Sequence, residues 1–446
     1  MNRLKRYENY KDSGVEWLGE IPEHWESQKM KYLGKMFAGL TDKKGDDFAK
    51  EISEDKMPFI PFTNVCNNLK IDKNQMQYVK IKPYEKQNKV QKNDIIFLMS
   101  SETLDDIGKC SIHLDEEQFY LNSFCKGFRP KTFAVNAEFL NYLLQSKTYR
   151  NYFALVGRGF TRINIKQEYI NDLFTVLPLK EEQTKIASFL DKKVAQIDEV
   201  ISQKEKLIEL LKERKQIVIN DVVTKGLDKD VEFVDSGVEW IGKIPKHWTK
   251  VKLKWISKIY AGGTPDKNNL RFWENGTIPW IASGEVNQEI VTKPTTNITE
   301  KGFKNSSARW IPKDSLIVAL AGQGKTKGMV AYLAIDTTGN QSLSAVIPNK
   351  KKISSKYLYN FIKSAYKELR GSAGEGQRDG LNLEKLGVLD VVFPPKDEQI
   401  KIVEYIENQT TKIDIAIELE QNYISKLKEY KASLIDSVVT GKVKVS

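Results

Sequence analysis

Cysteine and histidine are scarce in this 446-residue chain, with three of each. Cys66, Cys110 and Cys125 are odd in number and show no CxxC spacing. That argues against a disulfide scaffold or a zinc site and fits a reducing cytoplasm. Three histidines leave little material for His-based metal or acid–base chemistry. Long apolar runs are also missing: none approaches the ~20 residues that span a bilayer, so no membrane partner is expected. The opening MNRLKRYENYKDSG carries positive charge with no apolar stretch behind it, unlike a secretory signal. Basic charge, by contrast, is in excess. Seventy Lys and Arg against 59 Asp and Glu give +11, which favours a polyanionic partner, nucleic acid first. With 40% apolar and 10% aromatic residues the chain can bury real cores. Its length suggests about three folded units at ~150 residues each.

The strongest positive signal is internal repetition. Asp12 to Trp25 is DSGVEWLGEIPEHW, and Asp235 to Trp248 is DSGVEWIGKIPKHW, a shift of 223. Agreement then fades, although Lys29/Lys252, Lys31/Lys254, Lys35/Lys258 and the Ala-Gly pair at 38–39 and 261–262 persist. A second block, PLKEEQTKIASFLDKKVAQIDEVI from Pro178, returns as PPKDEQIKIVEYIENQTTKIDIAI from Pro394, a shift of 216 held to Thr224/Thr440. The chain is a tandem duplication whose first copy is seven residues longer in the middle. Shared ends with different centres suggest one scaffold carrying two specificities. The expected boundaries are 1–179 and 227–392 for two variable domains, and 180–226 and 393–446 for the shared segments.

Those shared segments have the signature of long helices. From Glu181 to Thr224 there is neither proline nor glycine, two glutamates occupy the first turn, and Gly226 supplies the stop. Apolar residues alternate by four and three at Leu190, Val194, Ile197, Ile201, Ile208, Leu211, Val218 and Val222, with Lys204 and Lys215 as polar members. The second copy gives Ile406, Thr410, Ile413, Ile417, Glu420, Ile424, Leu427, Lys431, Leu434 and Val438. Such spacing is a coiled-coil seam. Each helix of roughly 44 residues would be ~66 Å long. The simplest topology pairs the two seams antiparallel, with the seam lysines snorkelling or setting register. The charge lies elsewhere: 180–226 carries +1 and 393–443 carries −2, whereas 1–179 carries +3 and 227–392 carries +8.

The variable regions read as mixed α and β. Met57–Phe62, Asp94–Met99, Ile278–Ala282 and Ser315–Leu320 are expected strands, and Ala137–Tyr152 and Ser355–Leu369 expected helices. The loops GRGFTRIN (157–164) and GSAGEGQRDGLN (371–382) supply backbone amides for phosphates and forked side chains for base edges.

Catalytic motifs are weak. GQGKT at 322–326 resembles the end of a P-loop, but the glycine required five residues before Gly324 is Ala319. The following KGMVAYLA reads as a strand, so the helix N-terminus that would cradle phosphate is missing. Pro394-Pro395 lacks both flanking residues of an amino-methyltransferase loop. His24 and His247, in the repeated HW dipeptide, are expected to be structural. No active site of the chain's own is expected.

These features together resemble the specificity (S) subunit of type I restriction–modification enzymes over essentially the whole length. The resemblance rests on the DSGVEW repeats, on AGGTPDKNNLRFWENGTIPWI (261–281) and on the helix starts at Pro178 and Pro394. It implies an α+β fold with two tandem target-recognition domains joined by two antiparallel coiled-coil helices. It implies a bipartite double-stranded DNA target, one half-site per domain, with the helices as a ruler. It also implies two docked methyltransferase (M) subunits and, through them, restriction (R) subunits in a cytoplasmic phage-defence complex. S-adenosylmethionine, ATP and Mg would belong to those partners, with no cofactor or metal on this chain. The first domain departs from the family pattern, keeping only Ala38-Gly39, Thr41 and FIP at 59–61. From loop position and side-chain type, its candidate DNA contacts are Thr63, Asn64, Ser100, Ser101, Phe160, Thr161 and Arg162. In the second domain they are Thr264, Ser283, Glu285, Gln323, Lys325, Thr326, Gln377 and Arg378. The competing functions are an ATPase using GQGKT and a coiled-coil scaffold that binds no DNA.

Overall fold

The computed structural model describes residues 5–52, 55–322, 325–372 and 381–445. The chain forms two compact units: residues 1–204 with 422–446, and residues 205–421. A central helix, Lys180–Lys225, and a C-terminal helix, Lys396–Val439, each contribute one part to each unit.

In the first unit the main sheet has four antiparallel strands. Cys125–Pro130 lies between Gly34–Ala38 and Ile95–Leu98, with Cys110–Ile112 outside the last. Ile95–Leu98 is buried along its length, a continuous apolar run covered on both faces. A second sheet holds Phe48–Ala49, Gln77–Lys80, Lys56–Ile60 and the short parallel strand Tyr120–Leu121. The second unit repeats this plan. Leu316–Ala319 sits between Leu343–Pro348 and Val330–Leu333 in a five-stranded sheet, and Ile278–Ile281 pairs in parallel with Thr338–Gly339 in a three-stranded one.

The strand expectations hold to within two residues at each end. The two expected helices are each broken in the middle. Ala137–Gln145 and Lys147–Val156 meet at Ser146, whose extended backbone (ψ 153°) ends the first and starts the second. The break frees a helix N-terminus: Asp436 accepts from the Thr148 N–H at 2.9 Å and from its hydroxyl at 2.8 Å. Ser355–Ser364 likewise stops at Ala365, before Tyr366–Ser372.

The two long helices pack together antiparallel along the expected seam. Leu190, Val194, Ile197 and Ile201 are buried in the first unit, as are Ile208, Val218, Val222 and Ile406 in the second. The polar seam residues have partners. Lys431 pairs with Asp198 at 2.6 Å in the first unit, and Lys215 with Asp414 at 2.7 Å in the second. Both ion pairs are the same repeat positions with the helices exchanged. Lys204 lies over the Tyr423 ring, 4.4 Å from its centroid.

The repeated segments explain how each helix start is held. Gln183 is buried; its amide nitrogen donates to the Pro178 carbonyl at 2.9 Å and its oxygen accepts from the Asn136 N–H at 2.8 Å. Gln399 does the same for Pro394 and Ser354, at 2.9 and 2.7 Å. Glu182 meets His24 at 2.9 Å and the Tyr7 hydroxyl at 2.6 Å. Glu398 meets His247 at 2.9 Å and the Trp248 indole at 3.1 Å. Each histidine therefore pairs with a glutamate in the first turn of a long helix. No helix among the described residues is long and apolar enough to cross a membrane.

Candidate nucleic-acid interface

The shared Ala-Gly pair marks one construction built twice. In the first unit the chain leaving Ala38 passes the end of Tyr120–Leu121 so closely that a Cβ on Gly39 would lie 2.2 Å from the Asn122 carbonyl oxygen. In the second a Cβ on Gly262 would lie 2.1 Å from that of Gly339. Only glycine fits such an approach. The Leu40 N–H then donates to Leu121, and the Gly263 N–H to Gly339, each at 2.7 Å. At the same crossing the Asn122 N–H donates to Ile60 at 3.1 Å, and the Asn340 N–H to Ile281 at 3.0 Å. Two equivalent surface turns result, 122–124 and 340–342, with different side chains.

Around the first turn the structure gathers several expected residues. Ser100–Ser101, buried rather than exposed at 9% and 5%, forms a short ladder with Ile163–Asn164, which closes the 158–164 loop into a hairpin. Gly159 shapes the tip with φ of 143°; a Cβ there would lie 1.9 Å from the Arg162 carbonyl oxygen. Phe160 and Thr161 stand exposed at that tip, with the Phe160 ring at full exposure. The Arg162 guanidinium lies over the exposed Phe124 ring, 4.7 Å from its centroid. Ser100, Phe124 and Arg162 form a shared wall between two open cavities of about 630 and 400 Å³. Ser123, Lys126 and Gln167 line the larger; Phe62, Ser101, Glu102 and Asn122 line the smaller. Thr63 is exposed beside Phe62.

Asn64 does not belong with these residues. It is wholly buried, donating to the Asp72 carbonyl at 2.7 Å and accepting from the Asp72 N–H at 3.0 Å and the Asn68 amide at 3.0 Å. Its polar edge is spent inside the fold. Glu285 is displaced from the surface in the same way: buried, it accepts from the Ala282 N–H at 3.2 Å and the Thr295 hydroxyl at 2.8 Å. Both bonds fall on one oxygen, Oε1; Oε2 is buried without a hydrogen-bond partner among the described residues.

In the second unit Thr264 sits against the Gln341 side chain, beside the equivalent turn. Ser283, half-buried, opens the helical turn Ser283–Gln288. Lys325 is exposed, and its carbonyl accepts from the Tyr366 hydroxyl at 2.7 Å. With Lys363, Lys367, Trp240 and Met329 it lines another cavity, of about 660 Å³. Thr326 is half-buried, and the chain beyond it enters the strand Val330–Leu333, with no helix start for a phosphate cradle. Gln323, Gln377 and Arg378 lie outside the described residues. Sequence reasoning missed Phe124, Lys126, Gln167, Asn340 and Gln341. A signal existed: Asn122 and Asn340 each follow a short strand at matching places in the repeat.

Among the described residues no cluster of His, Cys, Asp and Glu could hold a metal. Burial pushes the Cys110 thiol up to about 12, and it is enclosed in the core. Among the described residues the first turn presents a guanidinium with amide and hydroxyl groups, and the second presents amide and hydroxyl groups.

The sequence profile of the type I restriction modification DNA specificity domain matches residues 22–210 and again 245–429. The chain belongs to this family. Its two matches share the internal repeat, so each copy is one specificity domain with its helix. Over 187 residues it is 32% identical to the EcoR124I/EcoR124II specificity subunit of Escherichia coli, covering 41% of this chain and 44% of that one. It is 22% identical to the MjaIX specificity subunit of Methanocaldococcus jannaschii, over 96% of this chain and 95% of that one. Among solved structures, a chain from a study of type I R-M assembly and conformational transition superposes with a TM-score of 0.72 at 15% identity. It covers 94% of this chain and 98% of its own. The HsdS subunit from Thermoanaerobacter tengcongensis gives 0.54 at 15% identity, over 95% and 98%. At such identities the likeness is one of fold: two mixed α/β domains joined by long paired helices.

Proposed function

We propose that this chain is the DNA-reading component of a type I restriction–modification complex, recognising a bipartite duplex with one half-site per unit. The observation that carries this is the strand-and-turn crossing built twice from the same glycine, with different side chains around it. One scaffold with two unlike surfaces suits one protein reading two unlike half-sites. The net charge agrees, since the excess lies outside the helices, at +3 and +8 in the two variable regions.

The long helices set the spacer and dock two M subunits, through which R subunits join. Exposed apolar side chains support docking: Val200, Tyr423 and Tyr430 in the first unit, and Leu207, Leu210, Ile217, Ile415 and Leu419 in the second. Large apolar residues left in water along a helix face mark an interaction surface. S-adenosylmethionine, ATP and Mg act in the partners, and this chain presents the DNA to them. A target adenine must leave the stack to be methylated, so the duplex has to be held in register.

The test is to express the chain with its M subunits in a methylation-free host and sequence the methylated adenines. A two-part motif with a fixed spacer is expected. Methylation with no such motif, or none that depends on this chain, would overturn the reading.

A further inference from the structure

Four arginines lie from residue 129 to residue 162 in the first unit, and three of them donate hydrogen bonds to the protein. Arg129 donates to Asp94 at 2.7 and 2.9 Å. Arg150 donates to the carbonyls of Asp105 and Ile107 at 3.0 and 2.6 Å. Arg158 donates to Gly157 at 2.8 Å and also to Leu155. Among the described residues the Arg162 guanidinium makes no hydrogen bond; it lies over the Phe124 ring. Both side chains are exposed, and neither supports the core.

We infer that Arg162, held over the Phe124 ring, reads a guanine in the half-site bound by the first unit. This rests on the DNA-reading function proposed above. The ring contact restrains the guanidinium while leaving its N–H groups without a hydrogen bond among the described residues. A guanidinium fork matches the paired O6 and N7 acceptors of guanine in the major groove. The support is rigid: Phe124 sits in a turn closed by its N–H donating to the Asn122 side chain at 2.8 Å, and Arg162 in the hairpin laddered to Ser100–Ser101. The larger cavity beside Arg162 carries Lys126 and Lys166, whereas the smaller is acidic. The cavity that Arg162 and Phe124 line on one side includes the exposed carboxylate of Glu102. A carboxylate repels a phosphate but tolerates the amino group of the paired cytosine.

The full chain with its M subunits, carrying Arg162→Ala, Arg162→Lys or Phe124→Leu, tests this by methylated-adenine sequencing and by binding to duplexes altered at single positions. With Arg162→Ala, discrimination at one G·C pair of one half-site should fall roughly ten- to hundredfold, with the other half-site and the spacer unchanged. Arg162→Lys should give a smaller loss at the same pair, because an ammonium still reaches the guanine acceptors but the fork is gone. Phe124→Leu should weaken the same pair to a lesser degree. An intact motif with uniformly weaker, less salt-dependent binding would make Arg162 a phosphate contact and overturn the proposal. Loss at an A·T pair would do the same. If the unaltered chain gives no two-part motif, the DNA-reading function itself fails, which is a separate result.

Discussion

Two buried glutamines show how single side chains set the architecture. Gln183 and Gln399 each tie a proline carbonyl at a helix start to a backbone N–H from the recognition domain. Alanine at Gln399 would leave the Ser354 N–H and the Pro394 carbonyl without this partner. Buried polar groups left unpaired cost about 1–3 kcal/mol each, so Gln399→Ala should lower stability by about 2–4 kcal/mol in urea unfolding. A change under 0.5 kcal/mol would mean water replaces the amide. Phe160 makes the opposite case. Its ring is fully exposed, so Phe160→Ala should leave thermal stability unchanged. If the ring stacks on DNA, the same change should weaken binding by about 1–3 kcal/mol, the usual worth of an aromatic–base stack; unaltered affinity would place Phe160 away from the duplex. The sequence could show that Arg162, Ser100 and Ser101 had suitable chemistry. It could not show that Asn64 and Glu285 turn inward, because their partners Asp72 and Thr295 are chosen by local folding rather than by composition.

At the level of elements, heptad spacing made the long helices legible. Every residue of the predicted seam is buried or half-buried. The breaks at Ser146 and Ala365 were hidden, since neither site carries proline or glycine. The first break is set by tertiary contact: Asp436, from the C-terminal helix, takes the N–H that the break frees. Burial pushes the Asp436 carboxyl up, but hydrogen bonds from Lys442 and from Thr148 outweigh it and hold it below the usual carboxylate range. A lowered folded pKa means the carboxylate stabilises the fold above the unfolded value of about 3.9. That contribution is lost as pH falls through the lower, folded value. Hydrogen exchange at Thr148 should therefore be slow at pH 6 and gain relative to the intrinsic rate below about pH 4. Asp436→Asn should remove most of that pH dependence. Equal protection at pH 6 and pH 3 would show that the helix end is held by its apolar contacts alone.

Across the whole chain the duplication was the most legible feature, and the ion pairs give it a mechanical meaning. Asp198–Lys431 and Lys215–Asp414 occupy matching repeat positions on exchanged helices. They therefore fix one antiparallel register at two places. Each pair is partly exposed and worth about 0.5 kcal/mol, so register rests mainly on the seam between them, and a shift must satisfy both pairs. Four residues added after Lys206 alone would move Lys215 relative to Asp414 or Asp198 relative to Lys431, and one pair would be lost. The repeat places the matching position after Asn422, so insertions at both sites keep both pairs. Each insertion adds about 6 Å of helix, and duplex DNA rises about 3.4 Å per base pair. The doubly inserted chain should therefore methylate a target with the same two half-sites and a spacer longer by about one or two base pairs. The single insertion should give weaker or mixed spacing. A doubly inserted chain that keeps the original spacer would show that the helices hold the units together without setting the distance between half-sites.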